Sequence, residues 1–163
     1  MNHIQNLHDL LCHEVQVLYS AEQLIMRGLP RMIQKAQSPE LQRAFEKHLN
    51  ETERQCERLK EAARLLDIAP DGRISTGIEG IMAEAEKLMH ADASPEALDA
   101  ALIGDAQKIE HYEIAGYGTA AYMAHELGLT QVAHILEGTL EEEKSTNSAL
   151  SYIAKNLINV KAE

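Results

Sequence analysis

Residues 107–124 read QKIEHYEIAGYGTAAYMA, and the apolar stripe of that segment falls on Ala106, Glu110, Glu113, Tyr117, Ala120 and Ala124. Residues three and four apart share one face of a helix, so two carboxylates stand one turn apart where a core is expected. An isolated carboxylate in a low-dielectric interior costs several kcal/mol or stays protonated. Such groups call for a cation, and hard metal ions prefer carboxylate oxygen. The chemistry these positions suggest is therefore metal binding.

Other acids are similarly placed. Leu18, Glu22, Ile25 and Leu29 put Glu22 on an apolar seam, and Glu143 takes its turn in the heptad series Leu136, Glu143, Leu150, Leu157. Glu142 lies on the flank with Ile135, Ala149 and Ile153, and Glu51 shares the edge of another seam with His48 and Gln55. Glu14, Glu53 and Glu141 read as edge residues that reach solvent. His111 falls off the stripe, and for His48 a hydrogen-bonded core histidine is the default, with a ligand role the alternative. Tyr19, Tyr112 and Tyr117 read as core aromatics with satisfied hydroxyls. Tyr19 stands one turn from Glu22 and Tyr117 one turn from Glu113, so either can reach a ligand.

Spacing places these acids at one height. Glu22 and Glu51 are 29 residues apart, with their midpoint in the turn AQSP; Glu113 and Glu142 are also 29 apart, with their midpoint in LGL. Residues equidistant from the turn of a helical hairpin lie level, and each acid stands about 22 Å from its turn at about 1.5 Å per residue. The acids should form one layer across the middle of a bundle.

The elements that would hold this layer are helices of about 4–36, 39–66, 78–89, 95–126 and 130–160. Pro30 interrupts the first and is a candidate kink. Ser38-Pro39-Glu40 and Ser94-Pro95-Glu96 repeat a start signature, with serine capping and proline in the first turn. DIAPDGRISTG and ADASPEA are breaks, and Gly128 ends the fourth helix. Two tight connections and one long one describe a single all-α domain: a four-helix bundle of two antiparallel hairpins joined by a crossover that carries one short extra helix. Acids from all four helices at one level are how ferritin-like bundles hold a dinuclear metal centre.

Composition agrees. The 163 residues suffice for one core, 45 % are hydrophobic, and Gly and Pro number only 9 and 4. The net charge of −11 disfavours nucleic acid and anionic lipid, which select basic patches. With no signal-peptide pattern, no long apolar run and two unpatterned cysteines, Cys12 and Cys56, the chain reads as cytoplasmic with free thiols and no membrane association.

The segments LYSAEQLI, FEKHLNETERQ, LIGDAQKIEHYEIAGYGT and LEEEKSTNSAL resemble the YciE/YciF family of bacterial ferritin-like, rubrerythrin-related stress proteins, nearer the YciF branch, almost end to end. The resemblance implies a homodimer and a role in bacterial stress responses. It also implies a dinuclear iron or manganese centre on Glu22, Glu51, Glu110, Glu113 and Glu142 or Glu143. Two departures stand out. Di-iron bundles commonly supply Glu-x-x-His, but here the positions read Glu51-x-x-Arg54 and Glu142-x-x-Ser145 or Glu143-x-x-Thr146. His48, one turn to the other side of Glu51, is the available substitute. Val17 stands where the family often has an acid. The residues and the resemblance together lead to the expectation of an oxygen-rich metal-binding stress protein that reacts with peroxide or oxygen. The rival is a non-catalytic dimeric stress protein whose carboxylate layer is a structural relic, occupied by protons or Mg²⁺ or bridged by the Arg54 side chain.

Overall fold

The computed structural model describes residues 4–162, and among these every regular element is helical. The chain order is α1 (Leu7–Lys35), α2 (Pro39–Leu65), α3 (Thr76–Met89), α4 (Pro95–Glu126) and α5 (Thr130–Ile153). A turn of π-helix (Ala154–Ile158) and a 3₁₀ turn (Asn159–Lys161) follow.

Local chemistry sets the boundaries. Asn6 caps α1 by accepting from the Asp9 N–H at 2.8 Å, so the helix starts at Leu7 rather than near Ile4. It continues through Pro30 to Lys35. Ser38 Oγ accepts from the Leu41 N–H and Ser94 Oγ from the Ala97 N–H, so the two Ser-Pro-Glu repeats do cap α2 and α4. Gly128 at φ 69° closes α4, with the Leu129 N–H returning to the Ala124 carbonyl at 2.8 Å. Asp67, a non-glycine residue at φ 55°, plays the same part after α2, where the Ile68 N–H reaches the Ala63 carbonyl. The α-helical pattern of α5 stops at Ile153 instead of continuing to 160, and the wider turn beyond it carries Ile158 into the core.

Packing makes a bundle of two hairpins, α1/α2 and α4/α5. Cross-hairpin contacts show that α1 and α4, and α2 and α5, also run antiparallel. Asp99 near the start of α4 accepts from the Gln37 and Ser38 N–H groups at 2.7 and 2.8 Å, while Tyr117 meets Glu22 lower down. Likewise Thr146 and Glu142 of α5 face Glu51 and Arg58 of α2. The crossover climbs the α1–α4 side: Gln16 binds the Ala69 carbonyl, Ser20 Oγ accepts from the Ser75 N–H, and Arg31 pairs with Glu86. Gly28 leaves the space that the end of the Met82 side chain of α3 fills, since a Cβ there would lie 1.8 Å from Met82 Cε.

The apolar core is divided. One cluster gathers Leu11, Val15, Leu18, Leu59, Tyr117 and Leu136; the other gathers Ile25, Leu29, Phe45, Ile103, Ile109 and Leu150. Between them, across the middle of all four long helices, lies a layer of Glu22, His48, Glu51, Gln55, Glu110, Glu113 and Glu143, every one buried.

Candidate metal centre

Each helix of the bundle delivers its part of the layer from mid-length, where backbone position is best defined by packing above and below. α1 contributes Glu22; α2 contributes His48, Glu51 and Gln55 on successive turns; α4 contributes Glu110, Glu113 and Tyr117; α5 contributes Glu143 and Thr146. One ligating atom from each of His48, Glu110, Glu113 and Glu143 lies within 4.8 Å of all the others. His48 Nε2 is 3.4 Å from Glu110 Oε1 and its Nδ1 is 3.9 Å from Glu143 Oε2.

Four side chains donate to the acids of the layer. The Tyr117 hydroxyl donates to Glu22 Oε1 across the α1–α4 interface in a short hydrogen bond. Gln55 Nε2 donates a short hydrogen bond to Glu143 Oε1 and a second, at 3.1 Å, to Glu142 Oε2. Glu51 accepts from Lys47 Nζ at 2.6 Å and from Thr146 Oγ1 at 3.4 Å.

The adjacent acids of α5 part company. Glu143 is fully buried in the layer. Glu142, about 100° further round the helix, is clamped by the Arg58 guanidinium through two bonds of 2.7 and 2.8 Å. Arg54, the bridge the relic reading invoked, is exposed. Gln55, on the seam edge with His48 and Glu51, bonds both Glu142 and Glu143 of α5, a part that its position on the seam did not assign. Tyr117 pairs with the glutamate of the opposite helix, not with Glu113 one turn away on its own.

The donors fall short of the acceptors. Glu22 Oε2, Glu110 Oε2, both Glu113 oxygens and Glu143 Oε2 are buried without a hydrogen-bond partner, as are both His48 ring nitrogens and Gln55 Oε1. Buried polar atoms in folded proteins are nearly always paired, so this concentration at one level is the site's outstanding property.

Electrostatics follow. Burial, then the charge of Glu143, pushes Glu22 up to about 8, with Tyr117 pulling the other way. Burial and Glu143 push Glu110 up to about 11. Burial, followed by Glu22, holds Glu113 well above the carboxyl range. Burial raises Glu143 to about 7. His48 is pushed down to about 4 by burial and the nearby Lys47 charge, so near neutral pH it is an uncharged imidazole with a lone pair to offer. For Glu142 burial alone would raise the pKa, but the Arg58 bonds outweigh it and hold the group below its ordinary value. Without a cation the layer must hold protons; with one, the same atoms are a ready set of oxygen and nitrogen ligands.

The molecule is thus an all-helical bundle whose core is split by a buried carboxylate–histidine layer. The chain belongs to the family described as Domain of unknown function (DUF892), whose model matches residues 6–163. It is 38 % identical over 161 residues to Protein YciF of Escherichia coli strain K12, covering 98 % of this chain and 97 % of that protein. The crystal structure of that E. coli stress protein matches with a TM-score of 0.92 at 36 % identity, covering 98 % of this chain and all of the other. YcfI of Rhodopseudomonas palustris, provisionally described as a structural protein, matches at 0.88 with 40 % identity, over 91 % and 94 % of the two chains. A protein of Xanthomonas campestris pv. campestris, 22 % identical with a TM-score of 0.77 over 95 % of each chain, shares the fold. Among the described residues, no helix is long and apolar enough to cross a membrane.

Proposed function

We propose that this protein is a ferritin-like metal-binding protein of the bacterial stress response, cytoplasmic and homodimeric, that holds a dinuclear iron or manganese centre at its carboxylate layer. The observation that carries this reading is the cluster of buried, partnerless acceptor atoms on Glu22, Glu110, Glu113, Glu143 and His48. Those residues would hold the ions, with Glu51 at the edge of the set. Iron or manganese bound there supplies one-electron redox chemistry towards peroxide or oxygen. Four carboxylates with one imidazole suit those metals better than copper or a thiolate-bound zinc.

The chain's own residues do the remaining work. Tyr117 keeps its proton on Oη while fixing the direction of Glu22, and burial raises its pKa. Gln55 fixes Glu143 from the α2 side. The two apolar clusters above and below exclude water from the layer, which strengthens every charge interaction inside it. The stress association rests on similarity to the E. coli stress protein.

A second reading is favoured by the Arg58–Glu142 clamp, which neutralises one acid without metal. In it the bundle is a dimeric structural module and the layer is kept neutral by protons. Anaerobic Fe(II) titration of metal-free protein, followed by optical absorption on adding peroxide, separates the two. About two irons per chain and an absorbance change lost in Glu22→Ala and Glu113→Ala support the metal centre. Absence of saturable binding supports the structural module.

A further inference from the structure

The layer is sealed unequally, and the inequality has a direction. Glu22 and Glu113, on α1 and α4, are fully buried, and the crossover is bonded to that side of the bundle through Ser75, which reaches Ser20 and Tyr112. The acids whose side chains keep some exposure are Glu51 of α2, at 9 %, and Glu142 of α5, at 24 %. Both lie on the α2–α5 face, and each carries a basic side chain. Lys47 Nζ is 2.6 Å from Glu51 Oε1, and Arg58 holds Glu142 through two hydrogen bonds. Between the two ion pairs stands Gln55, with its Nε2 bonded outward to Glu142 and inward to Glu143 and its fully buried Oε1 left without a partner.

Resting on the metal-binding reading above, we infer that the α2–α5 face is the port by which a divalent cation reaches the buried carboxylates, with Lys47 as its displaceable plug and Arg58 as its fixed post. The two basic residues differ in how they can yield. Lys47 is a single point charge on a flexible stem, with 61 % of its side chain in solvent, so an arriving dication competes with one contact and the ammonium can swing into water. Arg58 makes a planar two-bond clamp and also bonds Thr139 at 3.4 Å, a geometry that releases less readily. Glu142 therefore stays in place at the mouth, Glu51 becomes available, and the partnerless Gln55 oxygen offers a polar step between them. Thr146 Oγ1, which donates to Glu51 Oε2 at 3.4 Å, adds a further oxygen at the mouth and no positive charge.

The test is stopped-flow uptake of Co(II) by the full-length metal-free protein, read by its visible absorption, with the final metal content measured separately by mass spectrometry. Lys47→Gln should take up the same number of ions as the parent, on the order of two- to fivefold faster, as expected for removing a like charge at a rim. Glu142→Gln should reach the same content more slowly by a similar factor. Glu14→Gln makes the same charge change on the α1–α4 face and should leave the rate unchanged. If the parent loads metal but Lys47→Gln and Glu142→Gln load at its rate, or if Glu14→Gln slows loading as much as Glu142→Gln, the port is wrong and the metal centre stands. A parent that takes up no metal overturns both.

Discussion

At the scale of residues, the unusual expenditure is burial of four glutamates within reach of one another, with too few donors to satisfy them. Glu113 keeps its proton in the folded metal-free chain and loses it on unfolding, so a neutral isostere removes a cost of folding that grows with pH. Glu113→Gln should therefore stabilise the metal-free protein at pH 8 by about 1–3 kcal/mol in urea denaturation, while removing the extra stability that metal confers on the parent. Tyr117→Phe acts in the opposite sense. It leaves Glu22 Oε1 buried without its donor, which should cost about 1–3 kcal/mol, measured the same way. The choice between Glu142 and Glu143 shows where residue-level reading stops. The levelling rule pointed to 142 and the heptad series to 143, and the two differ by one step around a helix. What separates them is Arg58, a partner from another helix whose reach no single-helix pattern encodes.

At the scale of elements, the helices were legible because apolar stripes, serine caps and Gly128 each act locally. The end of α5 was not: residues 154–160 keep helical composition, yet docking of Ile158 decides their winding. The joint between hairpins was equally invisible, since Asp99 bonds backbone groups more than sixty positions away. Its carboxylate serves the start of α2 as a bound anion would, at the positive end of the helix. Asp99→Ala strips both bonds and should lower stability by about 1–3 kcal/mol in urea denaturation, with metal content per folded chain unchanged because the layer lies lower in the bundle. Placement of the layer itself was legible, because hairpin symmetry converts residue number into height. The direction from which Tyr117 and Gln55 reach it was not, because that depends on helix rotation across an interface.

At the scale of the whole molecule, the layer ties stability to pH and to metal. Glu143, Glu22 and Glu110, raised from 4.5 to about 7, 8 and 11, hold protons in the folded chain that the unfolded chain has lost. Between 4.5 and those values the folded state binds more protons, so metal-free stability falls as pH rises. His48, lowered from 6.5 to about 4, works the other way and removes stability as pH drops below 6.5. Above 6.5 the carboxylates act alone, and the melting temperature of metal-free protein should decline steadily from pH 6.5 to 8. Metal reverses the trend, since its ligands must shed those protons. At a hundred times the dissociation constant it should add about 2.7 kcal/mol, with an increment that grows over the same pH window. The most direct test of the central claim is anomalous X-ray scattering from crystals equilibrated with Mn(II) or Fe(II). The account predicts anomalous peaks in the middle of the bundle, within coordination distance of Glu110, Glu113, Glu143 and His48. A layer without peaks at saturating metal, its glutamates paired with one another through protons, would contradict it.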